Sequence, residues 1–263
     1  MIAVGILYVT PSTWPSRNRL FATVAVLTGL SLLSETAQIP TGRDASAIDL
    51  ASDMLGGIGF LCMAIAFSRS LSMPSSRRRY AFVLGISLLA VAVLPLARVS
   101  AAYVERAQML PSLVRFDARF ATIFVAPKDA EWSRQKGGDR DAISASILLN
   151  DGPWPGIAIG DVWPNWAPYT ALSIEFENPG AVTLPINVRV HDREHRDNQV
   201  YGDRFNRRLE LEPGVQLVRI ELEDIEAAPA GRRMDMGNID GLMIFATEQE
   251  AGRRVVIHHI RLE

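Results

Sequence analysis

Two hydrophobic periodicities divide the chain. Up to residue 98 apolar residues form long unbroken runs, and beyond residue 115 they alternate with polar ones. Tyr80–Ala97 holds eighteen consecutive residues without a charge. As a helix rising about 1.5 Å per residue it extends roughly 27 Å, near the thickness of a bilayer's hydrocarbon core. Leu50–Phe67 is a second run whose single charge is Asp53, and a third extends from Leu20 to Ser34 and on through Glu35 to Ile39. These runs predict three spanning helices near 20–39, 47–67 and 80–98. Met1–Val9 is apolar but too short to span, and it lacks the basic start and small-residue cleavage site of a signal peptide. It reads as the tail of a further helix truncated by a late start codon, or as an interfacial segment.

In the second region the period is two, the mark of strands buried on one face. Leu172, Ile174 and Phe176 alternate with Ser173, Glu175 and Glu177, and Ile186, Val188 and Val190 alternate with Asn187 and Arg189. Further strands are predicted at 120–125, 143–149, 205–211, 215–222, 241–246 and 254–262. Asn178-Pro-Gly180, Pro213-Gly214 and Asn150-Asp-Gly152 supply turns between them. Many short strands with long loops predict an antiparallel β-sandwich of the jelly-roll kind. The chain is therefore expected to comprise a helical transmembrane module (1–98), an amphipathic linker (99–114) and an all-β sandwich (115–263).

Charge follows the same division. The whole chain is nearly balanced, with 27 basic and 29 acidic side chains and a net charge of -2. Residues 1–98 hold 8 arginines and 4 acids, a net of +4, and the remainder holds 19 basic and 25 acidic residues, a net of -6. A nucleic-acid partner is not expected from this balance. One cysteine excludes an internal disulfide framework and a thiolate zinc cluster. Arg17 and Arg19 precede the first run, and Arg69 with Arg77–Arg79 lies between the second and third. The positive-inside rule makes both stretches cytoplasmic and puts everything after Arg98 on the other side.

Glu35 and Gln38 share a face near the outer end of the first predicted span. Arg43 sits in the turn IPTGRD, and Asp49 and Asp53 are stacked four apart on the next helix ahead of Gly56, Gly57 and Gly59. Charges at such depth mark a site by default unless they pair with one another. Glu35-x-x-Gln38, Arg43, Ser46, Asp49, Asp53 and Gly56 together resemble the signature of VanZ-like membrane proteins. Asp53 stands where that family usually has Asn. The resemblance implies a place in the cell envelope and supplies no biochemical activity. One reading has Arg43 paired with Glu35 or Asp49 to pin a helical hairpin. Another is an outward-facing site for a lipid headgroup or cell-wall precursor, Arg43 contacting phosphate.

The second region also has familiar features. Trp154-Pro155-Gly156, Trp166-x-x-Tyr169, Arg189-x-His191-Asp192, Asp203-Arg204-Phe205-Asn206 and Pro213-Gly214 are similar to galactose-binding-like domains of the carbohydrate-binding-module type. That resemblance implies a sugar ligand, with Trp163, Trp166, Tyr169, Arg189, His191, Asp192, Tyr201, Arg204 and Asn206 as candidate contacts. Period-two alternation sends Arg189 and His191 to the face opposite the core. Against this, Trp and Tyr often anchor sandwich cores through a satisfied N–H or O–H. Such folds often carry a structural calcium ion, which Asp117 would help to hold. The final strand offers His258 and His259 where an acid would be needed, which counts against calcium, and no cofactor is expected.

His191-Asp-Arg-Glu194-His195 matches the inverted zincin pattern H-x-x-E-H, whose chemistry needs both imidazoles on one helical face. Here the segment ends an alternating run and enters a polar loop, so zinc is not expected. His258 and His259, adjacent on a strand, are expected on opposite faces, at most one of them buried. Cys62 is a small hydrophobe in an apolar run, and no Gly-rich phosphate loop or G-x-S-x-G elbow is present. The expected protein is a multi-pass bacterial inner-membrane protein with a periplasmic or extracytoplasmic sandwich that recognises a glycan, a lipid-linked envelope precursor or an envelope protein. The enzymatic alternative uses Glu35, Asp49 and Asp53 on a lipid-linked substrate, and the scaffold alternative uses the sandwich to dock another envelope protein.

Overall fold

Asp53 is followed by fourteen uncharged residues in the first long helix, α1 (Ala47–Phe67), which matches the predicted span. A computed structural model of the chain describes residues 47–67, 73–136, 143–198 and 200–263, with five helical positions between 22 and 29. The predicted 20–39 span as a whole, and Glu35, Gln38 and Arg43, lie outside the described residues; so does the side chain of Asp49. The second helix, α2 (Ser75–Ala107), starts where the Pro74 carbonyl accepts the Arg78 N–H at 3.2 Å. It outruns the predicted 80–98 span at both ends, because the amphipathic stretch after Arg98 continues the helix. Both helices are long and apolar enough to cross a bilayer. Glycines bring them together: a Cβ on Gly59 would lie 3.1 Å from the Gly85 carbonyl, and one on Gly85 2.9 Å from the Gly59 carbonyl. Close approach of helices at small residues is the packing that lipid favours.

The chain divides into two compact units, Met1–Val99 and Ser100–Glu263. The stretch 99–114 is helix to Ala107 and becomes strand at β1 (Ser112–Val114), and Ala102 and Arg106 are buried within the second unit. After β1 come α3 (Ala121–Phe124), β2 (Val125–Lys128), β3 (Ala130–Lys136), β4 (Ile143–Leu149), β5 (Gly156–Ile159), β6 (Ala171–Asn178) and β7 (Leu184–Asp192). Then follow α4 (Arg193–Asn198), a 3-10 turn (Tyr201–Asp203), β8 (Phe205–Leu211), β9 (Gly214–Glu221), α5 (Leu222–Glu226), β10 (Ile239–Phe245) and β11 (Arg254–Leu262). One sheet has the order β3-β4-β11-β6-β9, with β1 also on β11, and the other the order β2-β5-β10-β7-β8. Every pairing is antiparallel.

Alternation makes the sandwich. Ile174, Phe176, Ile147, Ile257 and Ile260 from the first sheet meet Ile157, Ile186, Val188, Val190 and Ile244 from the second, all essentially without solvent contact. Burying each such side chain contributes about 1.5–3 kcal/mol. Two strands lack this signature. β3 is a charged edge strand, mostly exposed, and β5 has only four residues. The strand expected at 120–125 is instead the single turn of α3, with β2 starting at Val125.

The final strand corrects another expectation. A bulge between Ile257 and His259 breaks the register of β11 against β6, and an extra residue there turns neighbouring side chains to one face. His258 therefore reaches Glu177 at 3.0 Å and Ser144 Oγ at 2.7 Å, while His259 reaches Glu175 at 3.3 Å. Both histidines serve the outward face of the first sheet, and both are half-buried.

Candidate functional site

The register of the five-stranded sheet sets its outward side chains in rows. Lys128, Gly156, Phe245, Asn187 and Arg208 lie abreast, followed by Ala126, Ala158, Met243, Arg189 and Asn206. Gly241 and His191 continue a third row. At about 4.8 Å per strand the face is roughly 19 Å wide. Its β2–β5 side carries only alanine, glycine and one lysine, so the floor is low there. Its β7–β8 side carries amide, guanidinium and imidazole groups. Gly156 is required by the sheet: a Cβ there would lie 2.2 Å from the Ile244 carbonyl. Gly241 is required by the site, since a Cβ would meet His191 Cε1 at 2.4 Å.

Aromatic groups flank this face. Trp154, half-exposed, lies with its ring centroid 5.8 Å from Lys128 Nζ, and Tyr201 stands out into solvent with the Arg204 guanidinium 4.9 Å over its ring. The sequence reading singled out Tyr201, Arg204, Asn206, Arg189 and His191, and the fold gathers all five on or beside the β7–β8 edge. It left out Lys128, Asn187 and Phe245. Alternation points Asn187 outward like Arg189, but Lys128 and Phe245 needed the pairing of β2, β5 and β10 to be placed.

The other candidates have different surroundings. Trp166 is wholly enclosed, its Nε1–H donating to the Trp163 carbonyl at 2.7 Å, and Trp163 and Tyr169 pack against the same core. A ring with no exposed face cannot stack on a sugar, so Trp166 is a core anchor and not a binding surface. Asp192 is equally enclosed. Its two oxygens accept from Arg232 at 2.6 and 2.8 Å, and from the backbone N–H of His195 and Asp235 at 3.1 and 2.8 Å. Arg232 also binds Asp203 at 2.5 and 2.9 Å, tying the loop before β10 to β7 and to the turn before β8. Burial works against the Asp192 charge, but Arg232 and the two N–H donors outweigh it and hold the carboxyl below the usual range.

The H-x-x-E-H segment is strand at His191 and a short helix, α4, at Glu194 and His195, where a loop was expected. The two rings meet edge-on with centroids 5.3 Å apart. Glu194 is exposed and approaches Arg232 at 3.6 Å, and among the described residues no three His, Cys, Asp or Glu side chains form a group that could hold a metal. Asp117, the candidate calcium ligand, pairs with Arg115 at 2.6 Å. In the helical unit Asp53 is exposed on α1.

Burial first, then Arg189 and His195, push His191 down to about 4 against the pull of Asp240. Burial, Arg189 and Arg204 likewise lower His195. Both rings are thus neutral at pH 7, and Arg189 Nη2 donates to His195 Nε2 at 3.2 Å. An unfolded histidine protonates near pH 6.5. Between about 6.5 and 4 the unfolded chain therefore binds a proton at His191 that the fold refuses, and stability falls as pH drops, at up to about 1.4 kcal/mol per pH unit; the lowered His195 acts in the same direction. Thermal unfolding of the full chain across pH 7.5 to 4.5 should show this fall, and His191→Gln should flatten it. A midpoint independent of pH would contradict the assignment.

No protein-family model and no curated protein matches the chain. Solved structures do resemble the sandwich. A family 11 carbohydrate-binding module from Clostridium thermocellum, solved with a β-1,3-1,4-mixed-linked tetrasaccharide, aligns at a TM-score of 0.43 and 14% identity, covering 57% of this chain and 93% of that one. An exo-β-agarase aligns at 0.47 and 15%, covering 58% of this chain and 24% of that one. The N-terminal xylanase 10B modules of Clostridium thermocellum, complexed with xylohexaose, align at 0.41 and 7%, covering 58% and 28%. The chain thus spans about a quarter of the length of the agarase it matches.

Proposed function

We propose that the chain is a multi-pass protein of the bacterial inner membrane whose extracytoplasmic sandwich binds an envelope glycan on the outward face of the five-stranded sheet. The observation that carries this is the composition of that face: a low floor of Ala126, Gly156 and Ala158, Met243 and Phe245 along the central strand, and Asn187, Arg189, His191 and Asn206 beyond them. Exposed Trp154 and Tyr201 flank it. Small residues leave room for a chain of sugar rings, amides and guanidiniums bond hydroxyls, and flanking aromatics offer apolar faces. Supporting the membrane assignment are the two long apolar helices and the arginines between their apolar runs, Arg69 ahead of α2 and Arg77–Arg79 in its first turns. Supporting a VanZ-like character of the helical part is the spaced series from Glu35 to Gly56. That series would contact a lipid-linked envelope precursor.

The full chain, reconstituted in lipid nanodiscs and titrated against a panel of envelope polysaccharide fragments, is expected to bind at least one saturably. Asn187→Ala is expected to weaken that binding several-fold with an unchanged thermal midpoint. Absence of binding across the panel would argue against the proposal.

A further inference from the structure

Most arginines of the sandwich have a carboxylate partner: Arg207 with Asp224, Arg208 with Glu210, Arg233 with Glu226 and Arg253 with Glu250 are examples. Arg189 and Arg204 do not follow this pattern. Residue 190 pairs with residue 205 and residue 189 with residue 206, and Arg204 continues β8 backward in extended conformation at φ -153 and ψ 161. Alternation therefore brings Arg204 to the same outward corner as Arg189 and His191. Arg189 rests on a neutral imidazole, Arg204 on the ring of Tyr201, and the Nε–H of each is buried without an acceptor. Among the described residues neither guanidinium has a carboxylate within ion-pair distance. Asp192 and Asp203 pair with Arg232, and Asp240 lies 3.8 Å from His191.

Two partly desolvated like charges without a counter-charge raise the free energy of the empty corner, and a bound anion lowers it. Burial first, and then the charge of Arg204, lowers the proton affinity of Arg189. With the Nε–H of each buried, the terminal N–H groups of the two guanidiniums are the donors left for a carboxylate or an ester sulfate. Tyr201 stands beside these donors as an exposed apolar wall, and Asn206 brings an amide donor and acceptor from the adjacent position.

We infer that the Arg189–Arg204 corner is a subsite for an anionic sugar, a uronate carboxylate or a sulfate ester within the bound glycan. The inference rests on the glycan-binding reading of the same face and narrows its ligand class. Calorimetry of the full chain in zwitterionic nanodiscs tests it, with tetragalacturonate, its carboxyl-reduced neutral counterpart, a sulfated galactan tetrasaccharide and sodium sulfate as probes. At low salt at least one acidic oligosaccharide should bind about tenfold or more tighter than the neutral one, an advantage that shrinks as salt rises. Tetragalacturonate and the sulfated galactan distinguish carboxylate from sulfate recognition. Arg189→Gln and Arg204→Gln should each cut the acidic affinity several-fold, and more than they cut any neutral affinity, without lowering the thermal midpoint. Equal affinity for neutral and acidic forms, or acidic binding unchanged in the double variant, overturns the subsite while the glycan reading stands. Binding of sulfate but of no oligosaccharide supports the anion site and removes the glycan reading, and silence from all four probes removes both.

Discussion

Replacing Arg232 with alanine is expected to lower the stability of the sandwich by about 3–5 kcal/mol, because it strands two carboxylates that the fold has taken out of water. Asp192 has no exposed surface, and the Asp203 side chain is 11% exposed. Arg232 reaches both from a loop forty residues beyond Asp192, with two contacts to each acid. The backbone N–H groups of His195 and Asp235 remain on Asp192 in the variant, so its charge is not wholly abandoned. The loop before β10 and the turn before β8 nevertheless lose their shared tie. Asp192→Ala should cost a similar amount, and the Asp192→Ala, Arg232→Ala pair should cost less than the sum of the two, since the groups act as one unit. Denaturant unfolding of the full chain, read through a signal of the sandwich, measures all three. A loss below about 1 kcal/mol for Arg232→Ala would show that water replaces the guanidinium without penalty.

Trp166→Ala is the second large effect, also about 3–5 kcal/mol, from the void left by a wholly buried indole. The ring is enclosed, and the backbone around it is tied as well: the Trp166 N–H donates to the Met236 carbonyl at 2.7 Å and its indole N–H to Trp163 at 2.7 Å. Trp166→Phe keeps much of the volume and removes the indole donor, and should cost roughly 1–3 kcal/mol. Glycan affinity measured below the unfolding transition should be unchanged in Trp166→Phe. Direct loss of binding in that folded variant would return the residue to the ligand surface.

The sequence pattern located several elements closely because their signal is local. β4, β8 and β11 occupy the predicted positions, and Arg189 and His191 point outward because the alternate residues Leu184, Ile186, Val188 and Val190 of β7 are apolar and buried. Where local signal is weak, the reading departs from the fold. β3 has an exposed edge that needs no apolar alternation, and β5 is too short to show any. The aromatic density from Trp154 to Tyr169 looked alike along its length, yet Trp154 is half-exposed and Trp166 enclosed. Only the packing of β10 and its preceding loop separates them. His258 and His259 share a face because of a single inserted residue, which the composition of β11 does not announce. Arg232 had no motif around it; its role depends on a loop folding back over β7. Lys128 and Phe245 entered the candidate face through inter-strand register, a non-local property. Asp53 is exposed on α1, while Glu35, Gln38 and Arg43 lie outside the described residues, so the polar cluster of the helical part is known from its spacing alone.

The central claim is that the outward face of the five-stranded sheet holds a sugar chain. Photo-cross-linking tests it most directly, using the full chain in nanodiscs, a bound oligosaccharide carrying a diazirine, and peptide mapping of the adducts. The account predicts adducts on β5, β7, β8, β10 and the Tyr201–Asp203 turn, suppressed by excess unlabelled oligosaccharide. Competable adducts confined to the six-stranded sheet, around Glu175, Glu177, His258 and His259, would contradict it.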